Sequence, residues 1–236
     1  MERELHGGEA QALFNRELAT YRKFTAHNLM FHREVYGLLR DMLVNEVPPQ
    51  FAFLDLGCGD ASASVAMLAG LPIGRYHGVD LSDRSLEIAA QNLAALSCDV
   101  ALQRSDFGAA LSTWNAPVDV VWIGQSLHHY QSAEKRRTMK AARAALRQHG
   151  IFMIWEPVLR PGEDRLGWVE RLAAMRPDWQ VLSDQEFANM KQHSILADYP
   201  ETRDDWIAMG RAAGFSDGAQ VFMAPNNLAG VFKFVK

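Results

Sequence analysis

The chain has 236 residues, a formal net charge of −4 and 48% hydrophobic residues, which is enough for one α/β domain with an added cap. The acidic balance disfavours a nucleic-acid partner, no apolar run reaches the roughly 20 residues of a membrane span, and the polar N-terminus shows no secretion signal. Because Cys58 and Cys98 form no CxxC pair, we expect neither disulfides nor a zinc site and predict a cytoplasmic protein.

Residues 1–48 predict two helices, which end at Pro48-Pro49. Beyond them, short apolar runs alternate with segments of helical spacing. The runs predict five strands, over residues 51–56, 74–80, 98–104, 118–124 and 151–157. The helices between them begin after Asp60, at Ser82 and at Ser132. This alternation predicts βαβ crossovers and a parallel sheet that is covered on both faces.

For two of these helices, the sequence also predicts an N-cap, a core face or an end point. Ser82 is a candidate N-cap for the second one. Its predicted core face is formed by Leu86, Ala90 and Leu93. The helix from Ser132 is predicted to run to Arg147.

The pattern changes after the fifth strand. Residues 157–200 are helical but irregular, and their apolar anchors are Trp168, Trp179 and Phe187. A regular helix follows over 202–214, and the last two β-like runs have no helix between them, so they are expected to pair antiparallel. We therefore predict an N-terminal helical cap over 1–48 and an α/β domain over 49–236, with 157–200 inserted as a second helical cap over the substrate.

The first strand runs into the sequence DLGCGDAS, Asp55 to Ser62. Gly57 and Gly59 permit a tight turn and a close approach of a ligand to the backbone, because neither has a Cβ. A dinucleotide-binding turn reads GxGxxG and holds a pyrophosphate at a helix N-terminus. Here the third position is Ser62, and Asp55 stands two residues before the first glycine. A carboxylate at that place repels pyrophosphate and attracts a cation.

Two further acids follow the next two strands. Asp80 lies about twenty residues past the turn, where a carboxylate accepts hydrogen bonds from both ribose hydroxyls. Asp106, just after the third strand, is placed to accept from an adenine amine while Phe107 lies near the ring. Together the acids predict an adenosine ligand whose other end is cationic.

These segments resemble the class I S-adenosylmethionine-dependent methyltransferases, in particular their small-molecule branch. The resemblance runs from about Phe51 to the C-terminus and rests on FLDLGCGDAS, YHGVDLS, SDF, VDVVWIGQSLHHY and GIFMIWEP. It implies a Rossmann-like methyltransferase fold with a seven-stranded, mostly parallel sheet in the order 3-2-1-4-5-7-6, S-adenosylmethionine as cofactor and S-adenosylhomocysteine as product. The implied cofactor-binding residues are Asp55, Gly57, Cys58, Gly59, Asp80, Leu81, Asp106, Phe107 and Gln125, with Tyr21 and Arg22 from the N-terminal cap.

Methyl transfer from a sulfonium is an in-line displacement, so the enzyme mainly aligns and desolvates the acceptor. A general base is needed only when the acceptor is protonated at the working pH. In the resembled family the segment after the fourth strand faces the sulfonium. His128, His129 and Tyr130 are therefore candidate catalytic residues, with His128 preferred. The alternative is that the histidines only pack and hydrogen-bond this loop.

The acceptor site is predicted from the two caps and the end of the fifth strand. Its candidate residues are His27, His32, Glu156, His193 and Tyr199. Glu156 would bind a cationic acceptor, or else only cap its strand. No metal is predicted, because His27, His32 and His128 have no recognisable ligand spacing.

The acceptor itself is predicted only as a class. The turn after the fourth strand lacks an NPPY-like tetrapeptide, which disfavours nucleobases and protein amides. We therefore predict a small-molecule acceptor with an O-, N- or S-nucleophile, and a protein that is a monomer or a homodimer. The open alternatives are transfer of another group from a modified S-adenosylmethionine, which a basic residue such as Arg22 would favour, and a binding protein without turnover. An NAD-dependent dehydrogenase is disfavoured by Asp55.

Overall fold

The computed structural model describes residues 19–236. Helix α1 covers residues 19–26 of this range. The further helices are α2 His32–Glu46, α3 Ser62–Leu68, α4 Asp83–Leu93, α5 Phe107–Ser112, α6 Ser132–Ala145, α7 Arg165–Ala173, α8 Asp184–Ala197 and α9 Arg203–Ala212. The strands are β1 Phe51–Leu56, β2 Ile73–Asp80, β3 Asp99–Arg104, β4 Val118–Gly124, β5 Leu146–Leu159, β6 Glu201–Thr202, β7 Asp217–Met223 and β8 Ala229–Val235.

The strands form one sheet in the order β3-β2-β1-β4-β5-β8-β7, and the two-residue β6 pairs with β5 off this path. Strands β1 to β5 pair in parallel, and β8 pairs antiparallel with both β5 and β7. Without β6 the order reads 3-2-1-4-5-7-6. The predicted Rossmann-like methyltransferase fold and its antiparallel terminal hairpin are confirmed.

Two layers of buried side chains cover the sheet, because successive strand residues point to opposite faces. Along β4, Val121 and Ile123 belong to one apolar cluster, together with residues of α6 and α9. Val120 and Trp122 belong to the other, together with residues of α2 and α3. Helix α2 thus packs into the same core as the sheet. The predicted domain division at residue 48 stays a prediction, and its residues 1–18 lie outside the described part.

The segment predicted as the second cap contains α7 and α8. Trp168, Trp179 and Phe187 are buried together in a third apolar cluster. Helix α8 begins with a capping box in which Ser183 Oγ accepts from the Glu186 amide at 3.2 Å. Within the described residues, no helix has the length and apolar character needed to cross a membrane.

Three details of the predicted elements were wrong. Helix α6 ends at Ala145, and β5 begins at Leu146, because the backbone there is already extended and pairs with Val118. On α4 the core face contains Ala89 and not Ala90, since the buried positions follow an i, i+3, i+7 spacing. Strand β5 also continues to Leu159, so residues 157–159 of the segment predicted as cap belong to the strand.

Candidate active site

The glycine turn lies at the carboxyl end of β1. Gly57 and Gly59 have φ values of 74° and 55°, the left-handed region that favours glycine. A Cβ on Gly57 would lie 2.6 Å from Ser126 Oγ, so the turn and the loop after β4 require a glycine there. The amides of Gly57 and Cys58 both donate to the Val79 carbonyl, at 2.8 and 3.0 Å. These bonds join the turn to β2.

Asp80 fixes the turn from the end of β2. Its Oδ2 accepts from the Gly59 amide and its Oδ1 from the Ser82 amide, both at 2.9 Å. Ser82 in turn caps α4, as predicted, by accepting from the Ser85 amide. Each carboxylate oxygen has two lone pairs, so each keeps one for a ligand donor.

Asp55 is the most buried acid of the turn, with only 2% of its surface exposed. Its Oδ2 accepts from Ser64 Oγ and from the Tyr76 hydroxyl, both at 2.6 Å, so these bonds do not occupy Oδ1. Burial raises the pKa of Asp55 to about 6, against the lowering effect of these two bonds and with a further rise from the charge of Asp80. The site thus holds a desolvated carboxylate that is ionised at neutral pH.

These groups border a cleft of about 430 Å³, a size typical of small-molecule sites. Most of its lining residues belong to the segments that follow β1 and β4, and the others come from α1, α2, α4 and the strands themselves. They are Tyr21, Tyr36, Asp55, Gly57, Cys58, Gly59, Asp60, Ala61, Ser62, Ala63, Ser64, Asp80, Ser85, Trp122, Gly124, Gln125, Ser126, His129 and Trp155. Among the described residues the lining contains three carboxylates and neither lysine nor arginine. The cleft therefore fits a cationic ligand with hydroxyl donors.

Cys58 and Gln125, two of the predicted cofactor-binding residues, also line this cleft. Burial raises the pKa of the Cys58 thiol well above its usual value, so the thiol stays protonated and unreactive at neutral pH. Gln125 has a φ of 54° and donates from its amide and from Nε2 to the Trp155 carbonyl, at 2.8 and 3.1 Å.

Four residues predicted to bind the cofactor are not among the lining residues. Asp106 caps α5 by accepting from the Ala109 amide at 2.9 Å, and it also accepts from the Tyr130 hydroxyl. Phe107 packs against the Tyr130 ring, with the centroids 4.8 Å apart. Leu81 is 66% exposed, and Arg22 is also exposed. The structure thus gives Asp106 and Phe107 partners within the protein, and Tyr130 contacts them instead of the cleft.

Glu156, predicted from the sequence to bind a cationic acceptor, is not among the residues that line the cleft. It is fully buried, and its Oε1 accepts from the amides of Ser126 and Leu127 at 3.3 and 2.9 Å. Its Oε2 contacts the amide and Nδ1 of His128, at 3.2 and 2.6 Å. Both oxygens therefore hold the loop after β4, a structural role different from the strand cap considered as the alternative in the sequence analysis.

The two histidines of this loop lie in different surroundings. His128 is 5% exposed and held by Glu156, and it does not line the cleft. His129 has a side chain 40% exposed and does line the cleft. The preference for His128 as the catalytic residue is therefore not supported by position, and His129 is the better placed of the two.

The predicted acceptor residues are spread over the two caps. His32 is buried against the Trp155 ring with centroids 4.8 Å apart, and burial lowers its pKa to about 4, so it is neutral. His27 is exposed. Tyr199 donates its amide to the His128 carbonyl at 2.8 Å, and the His193 ring lies 5.3 Å from the His129 ring. The structure thus brings His193 and Tyr199 to the loop after β4 that carries His128 and His129.

Several cleft residues were missed from the sequence. Trp122 and Trp155 both line the cleft. Trp122 lies on β4, two residues before Gly124, and Trp155 lies on β5, directly before Glu156. Their position at the ends of parallel strands is a signal that was available. Asp198, which contacts the histidine loop, comes from the irregular cap and carried no such signal.

Residues 53–150 match the family model described as a methyltransferase domain. A carboxy-S-adenosyl-L-methionine synthase from Nitratiruptor sp. is 24% identical over 215 residues, which cover 90% of this chain and 89% of that protein. An uncharacterised protein of Mycoplasma pneumoniae is 34% identical over 68 residues, and these span 29% of this chain and only 15% of that protein. The magnesium protoporphyrin IX methyltransferase of Synechocystis, solved with bound S-adenosylhomocysteine, superposes with a TM-score of 0.64 at 14% identity, covering 95% and 94% of the two chains.

Residues 53–150 therefore match a methyltransferase domain, the kind of domain that the glycine turn and its acids predict. The resemblance inferred from the glycine turn and its acids is confirmed at this level. The structural neighbour confirms the fold alone, given its low identity.

Proposed function

We propose that this protein transfers a methyl group from S-adenosylmethionine to a small-molecule acceptor. The observation that supports the proposal is the chemistry of the cleft, in which Asp55, Asp60 and Asp80 surround a glycine turn with no lysine or arginine among the described lining residues. Carboxylates attract a sulfonium and an ammonium group, and they repel the pyrophosphate of a dinucleotide.

The residues of the cleft divide between the two ends of such a ligand. Asp55 provides the desolvated negative charge for the cationic end, and the remaining lone pairs of Asp80 accept the ribose hydroxyls. Gly57 and Gly59 let the ligand approach the backbone. When bound, S-adenosylmethionine supplies a methyl group that is already activated as a sulfonium. The protein then has to align the acceptor and exclude water.

A wall for the acceptor is provided by α1 and the second cap acting together. Lys23 forms an ion pair with Glu186 at 2.7 Å, and the Phe24 ring contacts the Trp179 ring edge-on at 5.2 Å. These contacts join α1 to the second cap, and Tyr21, also on α1, lines the cleft. Because Tyr21 and His129 both line the cleft, the proposal is for a small molecule that approaches between them.

Synthesis of a carboxylated S-adenosylmethionine is the second candidate, since the Nitratiruptor relative bears that name and matches most of the chain. Such chemistry needs a cation to hold carboxylates beside the methyl position. Arg22 is exposed and lies outside the described cleft lining. The electrostatics of the cleft therefore favour methyl transfer.

The test is turnover with S-adenosylmethionine that carries a labelled methyl group, offered with a panel of small phenols, amines, thiols and carboxylates. The proposal expects S-adenosylhomocysteine and a labelled product with at least one class of acceptor, and loss of both in Asp80→Ala. Formation of a carboxylated cofactor would favour the second candidate. Tight binding without any product over the panel would favour a binding protein.

A further inference from the structure

Three histidines surround one carboxylate oxygen where the loop after β4 meets the end of α8. Asp198 Oδ1 lies 3.3 Å from His129 Nδ1, 3.5 Å from His128 Nε2 and 3.6 Å from His193 Nε2. The ligand atoms of His128, His129 and Asp198 all lie within 4.8 Å of one another. Asp198 itself is 5% exposed.

The contacts in this cluster are ion pairs with distances longer than those of well-formed hydrogen bonds. An N–H···O bond normally measures about 2.7–3.2 Å, and among the described residues Asp198 Oδ1 has no hydrogen-bond partner although it is buried. A buried carboxylate oxygen without a partner costs stability. Two ligands of a tetrahedral metal, each about 2.0–2.1 Å from it, are separated by roughly 3.3–3.5 Å. The distances from Oδ1 to His129 and His128 fall in that range, and the distance to His193, at 3.6 Å, is slightly longer.

The protein also fixes the orientation of the ligand atoms. Glu156 accepts three backbone amides and contacts His128 Nδ1 at 2.6 Å, which orients the ring so that Nε2 faces Asp198. A carboxylate behind a histidine in this way is typical of metal ligands. Metal binding requires His129 Nδ1 to give up only its long contact with the Ala197 carbonyl, at 3.4 Å.

The two halves of the cluster are held together by other contacts. The Tyr199 amide donates to the His128 carbonyl at 2.8 Å. The buried Lys135 on α6 donates to the Tyr199 carbonyl and, at 2.8 Å, to Glu201. The ligand atoms are therefore brought together by the fold before any ion binds.

We propose that His128, His129, His193 and Asp198 bind one divalent transition-metal ion of the zinc, cobalt or iron type. A set of imidazoles with one carboxylate selects such ions over Mg²⁺ and Ca²⁺, which prefer oxygen ligands. Because His129 also lines the cleft, the ion lies at the side where the acceptor approaches. This site replaces the prediction that the protein uses no metal, which considered His128 only with His27 and His32.

The test uses the full-length protein, freed of metal with a chelator and titrated with ZnCl₂ by calorimetry and with CoCl₂ by visible absorption. We expect one ion per chain, the d–d spectrum of a four-coordinate site, and no comparable binding of MgCl₂. Asp198→Asn and His129→Ala are expected to lose at least about 100-fold in zinc affinity, and His193→Ala about 10-fold or more. His27→Ala, which removes an exposed histidine elsewhere, is the matched control and should bind like wild type.

Two results would overturn the proposal. One is the absence of stoichiometric zinc or cobalt binding in folded wild-type protein. The other is wild-type affinity in both His129→Ala and His193→Ala, which would place the ion elsewhere; both side chains are well exposed, so these variants should fold even if Asp198→Asn does not. Metal binding is measured without S-adenosylmethionine, so its failure is distinct from a failure of the proposed methyl transfer.

Discussion

Asp55→Asn tests whether the cleft holds a desolvated charge for a cation. Burial raises the pKa of Asp55 from its ordinary 3.8 to about 6. At about 1.4 kcal/mol for each pH unit, that rise corresponds to roughly 3 kcal/mol. Because the folded-state pKa lies above the unfolded one, the contribution of this group stabilises the fold at about pH 4 and is lost as the pH rises through about 6.

The asparagine amide carries no charge, and its oxygen can accept the same bonds from Ser64 and Tyr76. We therefore expect the ligand-free variant to be more stable than wild type by up to about 3 kcal/mol near pH 7.5, and about equally stable near pH 4. At the higher pH it should also bind S-adenosylmethionine at least about 10-fold more weakly, as one lost charge contact of about 1.4 kcal/mol requires.

The assay is denaturant unfolding of both proteins over this pH range, with S-adenosylmethionine titrated by calorimetry at the upper end. Asp178→Asn, which changes an exposed aspartate, is the matched control and should show no such pH-dependent gain. A variant that is less stable than wild type near neutral pH, or a difference that does not vary with pH, would refute the reasoning about desolvation.

Three further predictions concern the turn, the loop and the core. Asp80→Ala should keep the fold, because water can replace the carboxylate at the part-buried amides of Gly59 and Ser82. Calorimetry should show a loss of S-adenosylhomocysteine affinity, and unchanged affinity would contradict the assignment of Asp80 to the ribose. Glu156→Ala should cost about 3 kcal/mol or more in chemical unfolding, because three amides and a histidine lose a buried acceptor. Gly210→Ala should lower the free energy of unfolding by about 1–3 kcal/mol, because the added Cβ would lie 2.2 Å from the Phe234 ring. Gly37→Ala, which has open space around it on α2, is the control and should raise the free energy of unfolding by up to about 1 kcal/mol. Equal melting temperatures of the two variants would contradict this prediction.

The sheet could be predicted from the sequence because each strand is a short apolar run between clear breaks. The order of the strands came from the resemblance, and the terminal hairpin from the missing helix between its two runs. The end of α6 was misplaced because helical spacing continues to Leu146, whose backbone is extended to pair with Val118. Strand pairing, a long-range contact, decided that boundary.

The candidate site was predictable where function follows from position in the chain. Asp55, Gly57 and Asp80 lie at strand ends, and parallel strands bring those ends to one edge. Glu156 lies within β5, before its end at Leu159, and its backbone partners depend on how the loop after β4 folds back. The contact between that loop and Asp198 joins segments about 70 residues apart through an irregular cap, so no local pattern indicated it.

Binding of S-adenosylmethionine and S-adenosylhomocysteine to the purified protein tests the central claim most directly. Native mass spectrometry identifies any molecule that is retained, and calorimetric titration gives its stoichiometry. We predict one molecule of either per folded chain, a raised melting temperature in its presence, and no comparable effect of NAD. Binding of neither by the folded protein, or stabilisation by NAD instead, would contradict the assignment of the cleft.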